Sequence, residues 1–129
     1  MEFFLGFHSG LGKYLIPVLA ILGSLRALYG WLRTDSYRKW DRGLGVLYTS
    51  LLDVQLLMGF VIFFAWPEKR PAQWHGHLTF MTLAIIAAHV GSILVKRAKT
   101  ESHQQMIQFF TYILSLALIV AGLKFVGVW

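Results

Sequence analysis

Cysteine is absent from the 129 residues. Disulfides, cysteine-ligated zinc, iron–sulfur clusters and thioether-attached haem are therefore excluded. Charge is scarce as well: six acidic and twelve basic residues make up 14% of the chain, where a soluble domain carries roughly 25%. No Ser–His–Asp set, carboxylate pair, HExxH motif or phosphate loop occurs, so hydrolytic and phosphoryl chemistry have no machinery. The net charge of +6 is no sign of a nucleic-acid partner. Its basic residues sit between apolar runs rather than in a stripe interleaved with exposed aromatics. Linkers, low-complexity stretches and internal repeats are missing too, and residues 1–129 read as a single domain.

What the chain does have is apolar length. Hydrophobic residues are 57% of it, aromatics 16%, and the mean hydropathy is +0.59. Apolar runs over about 7–32, 44–66, 75–97 and 105–126 are each close to the 20 residues that cross a bilayer. The expected fold is all-α: an integral membrane four-helix bundle, up-down-up-down, because the connections are short. Gly6, Gly10, Gly12 and Pro17 weaken the first third of the first run, which predicts a kink or an interfacial segment there. Thr100 or Ser102 is expected to cap the fourth helix, Ser102 pairing with Gln105 as a capping box. Arg33, Arg38, Lys39, Arg42, Lys96, Arg97 and Lys99 fall in the first and third loops. The second loop holds Lys69 and Arg70. The positive-inside rule then puts both termini outside.

Polar residues within such spans are costly and are functional hypotheses by default. At about 1.5 Å per residue they sort into two layers. His8, His75 and His77 lie near the outer face. Arg26, Asp53 and His89 lie about 10 Å in from the inner face, with Gln55 slightly deeper. In the outer layer, His8 with His77 or His75 is a histidine pair on separate helices at one depth. Two such histidines can hold a haem iron from both sides within a bundle. They can equally receive a quinone headgroup, helped by Trp74 and Trp129. Helical phase puts His75 and His89 about 40° apart and His77 and His89 about 120° apart. His103 is too shallow to partner His89, so at most one bis-histidine haem is expected. In the inner layer, Arg26, Asp53 and His89 are expected to form a network that fixes helix register or relays protons, since unpaired charges there are unfavourable. Gly59, Gly91 and Gly122 read as close helix packing.

Three short motifs carry a resemblance: HSGL at 8–11, LLDVQLLMG at 51–59, and H-x11-H-V-G from His77 to Gly91. Together they resemble a group of small four-span bacterial membrane proteins labelled cytochrome-b-like. The resemblance implies that His8, Asp53, Gln55, His77 and His89 are the residues of interest, and it favours His77 over His75. In that group proline usually follows the first histidine of the third span. Here Leu78 stands there and an extra histidine, His75, precedes it, so the outer ligand is left between His75 and His77.

The function expected is that of a b-type cytochrome-like or quinone-interacting electron-transfer protein in a respiratory or photosynthetic chain of the bacterial inner membrane. It would be a component rather than a stand-alone catalyst. Its cofactor would be haem b, with His8 and His77 on the iron, or a quinone. The alternative is a cofactor-free accessory subunit bound to other membrane subunits of a redox complex.

Overall fold

A computed structural model describes residues 1–34 and 36–128, so Trp129 lies outside the described residues. Four helices carry the chain: α1 (Glu2–Leu32), α2 (Lys39–Ala65), α3 (Trp74–Arg97) and α4 (Glu101–Phe125). No strand occurs among the described residues. All four helices are long and apolar enough to cross a membrane, which is compatible with a multi-pass membrane protein. Large apolar side chains such as Phe3, Leu57 and Phe64 point outward, a surface suited to lipid rather than water.

The helix limits follow local chemistry. α1 is continuous, with a wide π-turn over Leu11–Leu15 in place of the expected interruption. Pro17 has no N–H to offer the preceding turn. Just before it the Ile16 N–H reaches back five residues to the Leu11 carbonyl, so the mismatch is absorbed as a bulge. α2 begins at Lys39, about five residues earlier than the apolar run suggests. The Asp41 carboxylate accepts the Arg38 N–H at 2.8 Å, satisfying a free donor at the positive end of the helix. α2 stops before Pro67, and the Arg70 side chain caps its Phe63 carbonyl at 2.9 Å. α4 is capped by Thr100, whose hydroxyl accepts the His103 N–H at 3.2 Å. The Ser102–Gln105 box does not form; Gln105 is buried in the bundle instead.

α4 packs along both α1 and α3, whereas α2 leans more lightly on α1 and α3. Small residues allow the close seams. Ala20, Gly23, Ala27 and Gly30 recur at three- and four-residue spacing and are buried on α1. On Gly23 a methyl group would lie 2.5 Å from the Tyr112 ring of α4. Ala84, Ala88 and Gly91 do the same work on α3. In the core, the Tyr48 and Ser115 hydroxyls bond at 2.8 Å, and Ser115 donates to the Ala84 carbonyl at 3.3 Å. One polar chain thus joins α2, α4 and α3. The start of α1 meets the end of α2, and the start of α3 meets the end of α4, so consecutive helices run antiparallel.

Candidate functional site

The two ends of the bundle differ in chemistry. At the end where Arg26 meets Asp41, most polar groups of the described residues are matched, Tyr112 Oη being the exception. Arg26 Nε lies 2.9 Å from Asp41 Oδ1 and Arg26 Nη2 lies 3.1 Å from Oδ2, with the carboxylate only 3% exposed. Arg26 and Gln105 both donate to the Ser36 carbonyl, at 3.1 and 3.2 Å. The Tyr37 hydroxyl donates to Gln108 Oε1 at 3.3 Å. Burial and the nearby Asp41 carboxylate push the Tyr37 hydroxyl pKa up, opposed in part by Arg42, so Tyr37 remains a neutral donor. These bonds tie α1, α2 and α4 together at this end.

At the opposite end, residues of all four helices line a cavity of about 230 Å³. Its wall is apolar, built from side chains such as Leu52, Leu56, Met81 and Ile85, with Lys13, Lys69 and Arg70 among its lining residues. His8 from α1 and His77 from α3 both line it, with ring centres 6.3 Å apart and planes at 70°. His77 Nδ1 is 3.1 Å from the Gly122 carbonyl. A carbonyl only accepts, so this nitrogen carries the proton and, in the neutral ring, Nε2 keeps its lone pair. That arrangement orients histidine ligands at metal sites generally.

His8 is placed by the π-turn behind it and by Gln55, whose Nε2 donates to the His8 carbonyl at 2.7 Å. Two glycines give these groups room. A Cβ on Gly12 would lie 2.7 Å from Gln55 Nε2, and one on Gly59 would lie 3.2 Å from His8 Cε1. Among the described residues three buried polar side-chain atoms lack a hydrogen-bond partner: His8 Nδ1, Gln55 Oε1 and Tyr112 Oη. The first two belong to residues lining this cavity. Buried polar groups are nearly always satisfied, so these two atoms are candidates to meet a polar ligand atom, whereas Tyr112 lies outside this cavity beside Arg26 and Asp41.

The expected inner network divides. His89 Nε2 and Asp53 Oδ1 meet at 2.8 Å, joining α3 to α2. Arg26 does not brace them. Its partner Asp41 is twelve residues before Asp53, about 18 Å along α2. Depth measured from the apolar run started α2 too late and placed Asp53 too shallow. The Asp53 and His89 side chains are 53% and 49% exposed on the outside of the bundle, so this is a surface pair and not a core network. Gln55 also leaves that group. Two residues beyond Asp53 it is rotated by about 200°, which turns it inward to His8.

His75 is exposed and stacked on Trp74, with ring centres 3.5 Å apart, and His77 is the histidine that faces His8. His103 is exposed at the start of α4. Gly59 of α2 packs closely against His8 of α1, a close helix contact of the kind expected from the sequence. Asp41, Tyr48 and Ser115 were not singled out from the sequence. Asp41 had one signal, an acid three residues past a helix-capping position. No protein-family model, curated protein or solved structure matches this chain.

Proposed function

We propose that the chain is a multi-pass protein of the bacterial cytoplasmic membrane, both termini outside, serving respiratory or photosynthetic electron transport. Its redox site is the cavity between His8 and His77. The observation that carries this reading is the pair of open polar atoms, His8 Nδ1 and Gln55 Oε1, beside the free His77 Nε2 at one apolar wall.

A quinone headgroup fits the size. The cavity lies below the roughly 300–1,000 Å³ of drug-sized pockets, which suits a single flat ring with its tail in lipid. A reduced quinone carries two hydroxyl donors. Gln55 Oε1 and His77 Nε2 would accept hydrogen bonds from them, and His77, so placed, could take up a hydroxyl proton. A haem b is the second reading, favoured by the ring separation. Two imidazoles each with a nitrogen about 2.0 Å from one metal ion would have centres about 6 Å apart. His8 and His77 would then be the axial ligands, and the haem would supply one-electron transfer.

Protein purified in lipid nanodiscs from cells making haem and quinone tests the proposal. Organic extraction should yield bound quinone, or a reduced-minus-oxidised spectrum should show a haem Soret and α-band. Either signal should vanish in His77→Ala. Loss of both signals in the wild-type chain overturns the redox site and leaves the cofactor-free accessory subunit in its place.

A further inference from the structure

The charges around the His8–His77 cavity are all of one sign. Lys13, Lys69 and Arg70 are among its lining residues, and no aspartate or glutamate is. Among the described residues the ion pairs are Arg26 with Asp41 and His89 with Asp53, so none of the three cations has an acidic partner. Arg70 gives its Nε–H to the Phe63 carbonyl, which leaves its positive charge without a counterion. Lys13 matters most, because it is partly buried and lies deep. Its neighbour Gly12 packs against Gln55, which is ten residues before the end of α2 at Ala65, about 15 Å. A four-carbon stem does not reach that far. If, as proposed above, the helices lie in a membrane, a cation at that depth is unfavourable unless it is paired. The cavity wall it belongs to supplies no anion.

We propose that the occupant of this cavity is a flat apolar ring bearing carboxylates, one of them paired with Lys13. Haem b is of this class and a neutral quinone is not. The inference rests on the redox site proposed above and names the ligand class that suits its charge. The ring would lie among apolar side chains such as Leu52, Leu56, Met81 and Ile85. A carboxylate against the Lys13 ammonium makes a charge-assisted contact, which is about twice as strong as a neutral hydrogen bond. Lys69 and Arg70, exposed beyond the end of α2, make the outer part of the wall positive. That field draws an anion toward the cavity.

The full chain, made in haem-deficient cells and placed in phosphatidylcholine nanodiscs, tests this by titration with haem b and with its dimethyl ester, each followed by its Soret shift. The ester keeps the ring and the iron and loses only the charges. Haem b should bind at least about tenfold more tightly than the ester. Lys13→Met should weaken haem b about tenfold and leave the ester unchanged, and Lys13→Arg should restore the difference. Phosphatidylglycerol added to the nanodiscs, an anion of lipid origin, should not displace haem b. Equal affinity for haem b and the ester in the wild type, an equal loss of both in Lys13→Met, or displacement by phosphatidylglycerol overturns the proposal. A short-chain ubiquinone that binds where haem b does not also overturns it, and that result keeps the redox site. Binding of none of these ligands removes the redox site itself, and this inference with it. The comparison of haem b with its ester in the wild type decides the matter even where Lys13→Met fails to accumulate.

Discussion

One end of this bundle uses nearly every polar group it buries, and the other leaves two open. Around Arg26 and Asp41 the guanidinium, carboxylate, Ser36 carbonyl and Gln105 amide satisfy one another. Around His8 and His77 the walls are apolar, and His8 Nδ1 and Gln55 Oε1 have no partner. Both ends were assembled from the same kinds of helix. The difference teaches that polar residues in an apolar chain have two uses: groups that saturate one another hold the helices, and groups left open beside a cavity, unlike the isolated Tyr112 hydroxyl, are where the proposed ligand would bind.

The sharpest way to break that contrast is to damage the end that holds Arg26 and Asp41. Arg26→Ala leaves the buried Asp41 carboxylate without its ion-pair partner. Breaking a buried pair from one side costs about 3–5 kcal/mol. The variant should accumulate poorly and unfold at a distinctly lower temperature in detergent, followed by circular dichroism. An unchanged Tm would show that the Arg26–Asp41 pair does not hold this end together. The next effect is smaller and lies midway along the bundle. Tyr48→Phe removes one hydroxyl from the Tyr48–Ser115–Ala84 chain. Leaving Ser115 with one fewer partner should cost about 1–3 kcal/mol, again read as Tm. A smaller loss than in Arg26→Ala is the ordering the contrast requires.

Helix number and approximate length were legible in the sequence because apolar run length reports them directly. Which residues meet was less legible, for reasons of angle and boundary. Asp53 and Gln55 looked like neighbours in one layer, but two residues on a helix point to opposite sides, so one faces out to His89 and the other in to His8. Arg26 was assigned to the wrong acid because the basic segment 38–42 resembled a solvated loop. In fact Asp41 starts α2 there and meets Arg26 first. The cavity had no signature in sequence, since it arises from how side chains of four helices come together in space. His77 was preferred over His75 by motif alone, and the geometry at Gly122 supplies the physical reason.

At the open end, substitutions should affect binding and spare stability. Gly59→Leu fills the cavity beside the His8 ring, where a Cβ already comes within 3.2 Å of Cε1. Stability should move by no more than about 1 kcal/mol, because the His8 ring gives way into empty space. Retained quinone or haem should be lost. A large fall in Tm with ligand retained would mean that this close contact serves helix packing alone.

The smallest effect is expected at His75, and it is the most discriminating test of the outer pair. His75 and His77 are two residues apart at the start of α3, yet His75 stacks on Trp74 in the open and His77 lines the cavity. His75→Ala should change stability by less than about 0.5 kcal/mol, as exposed substitutions usually do, and should leave ligand retention at the wild-type level. His77→Ala should abolish retention. Equal losses in both would mean that the start of α3 turns on ligand binding to bring His75 inward, and the pairing of His8 with His77 alone would fail.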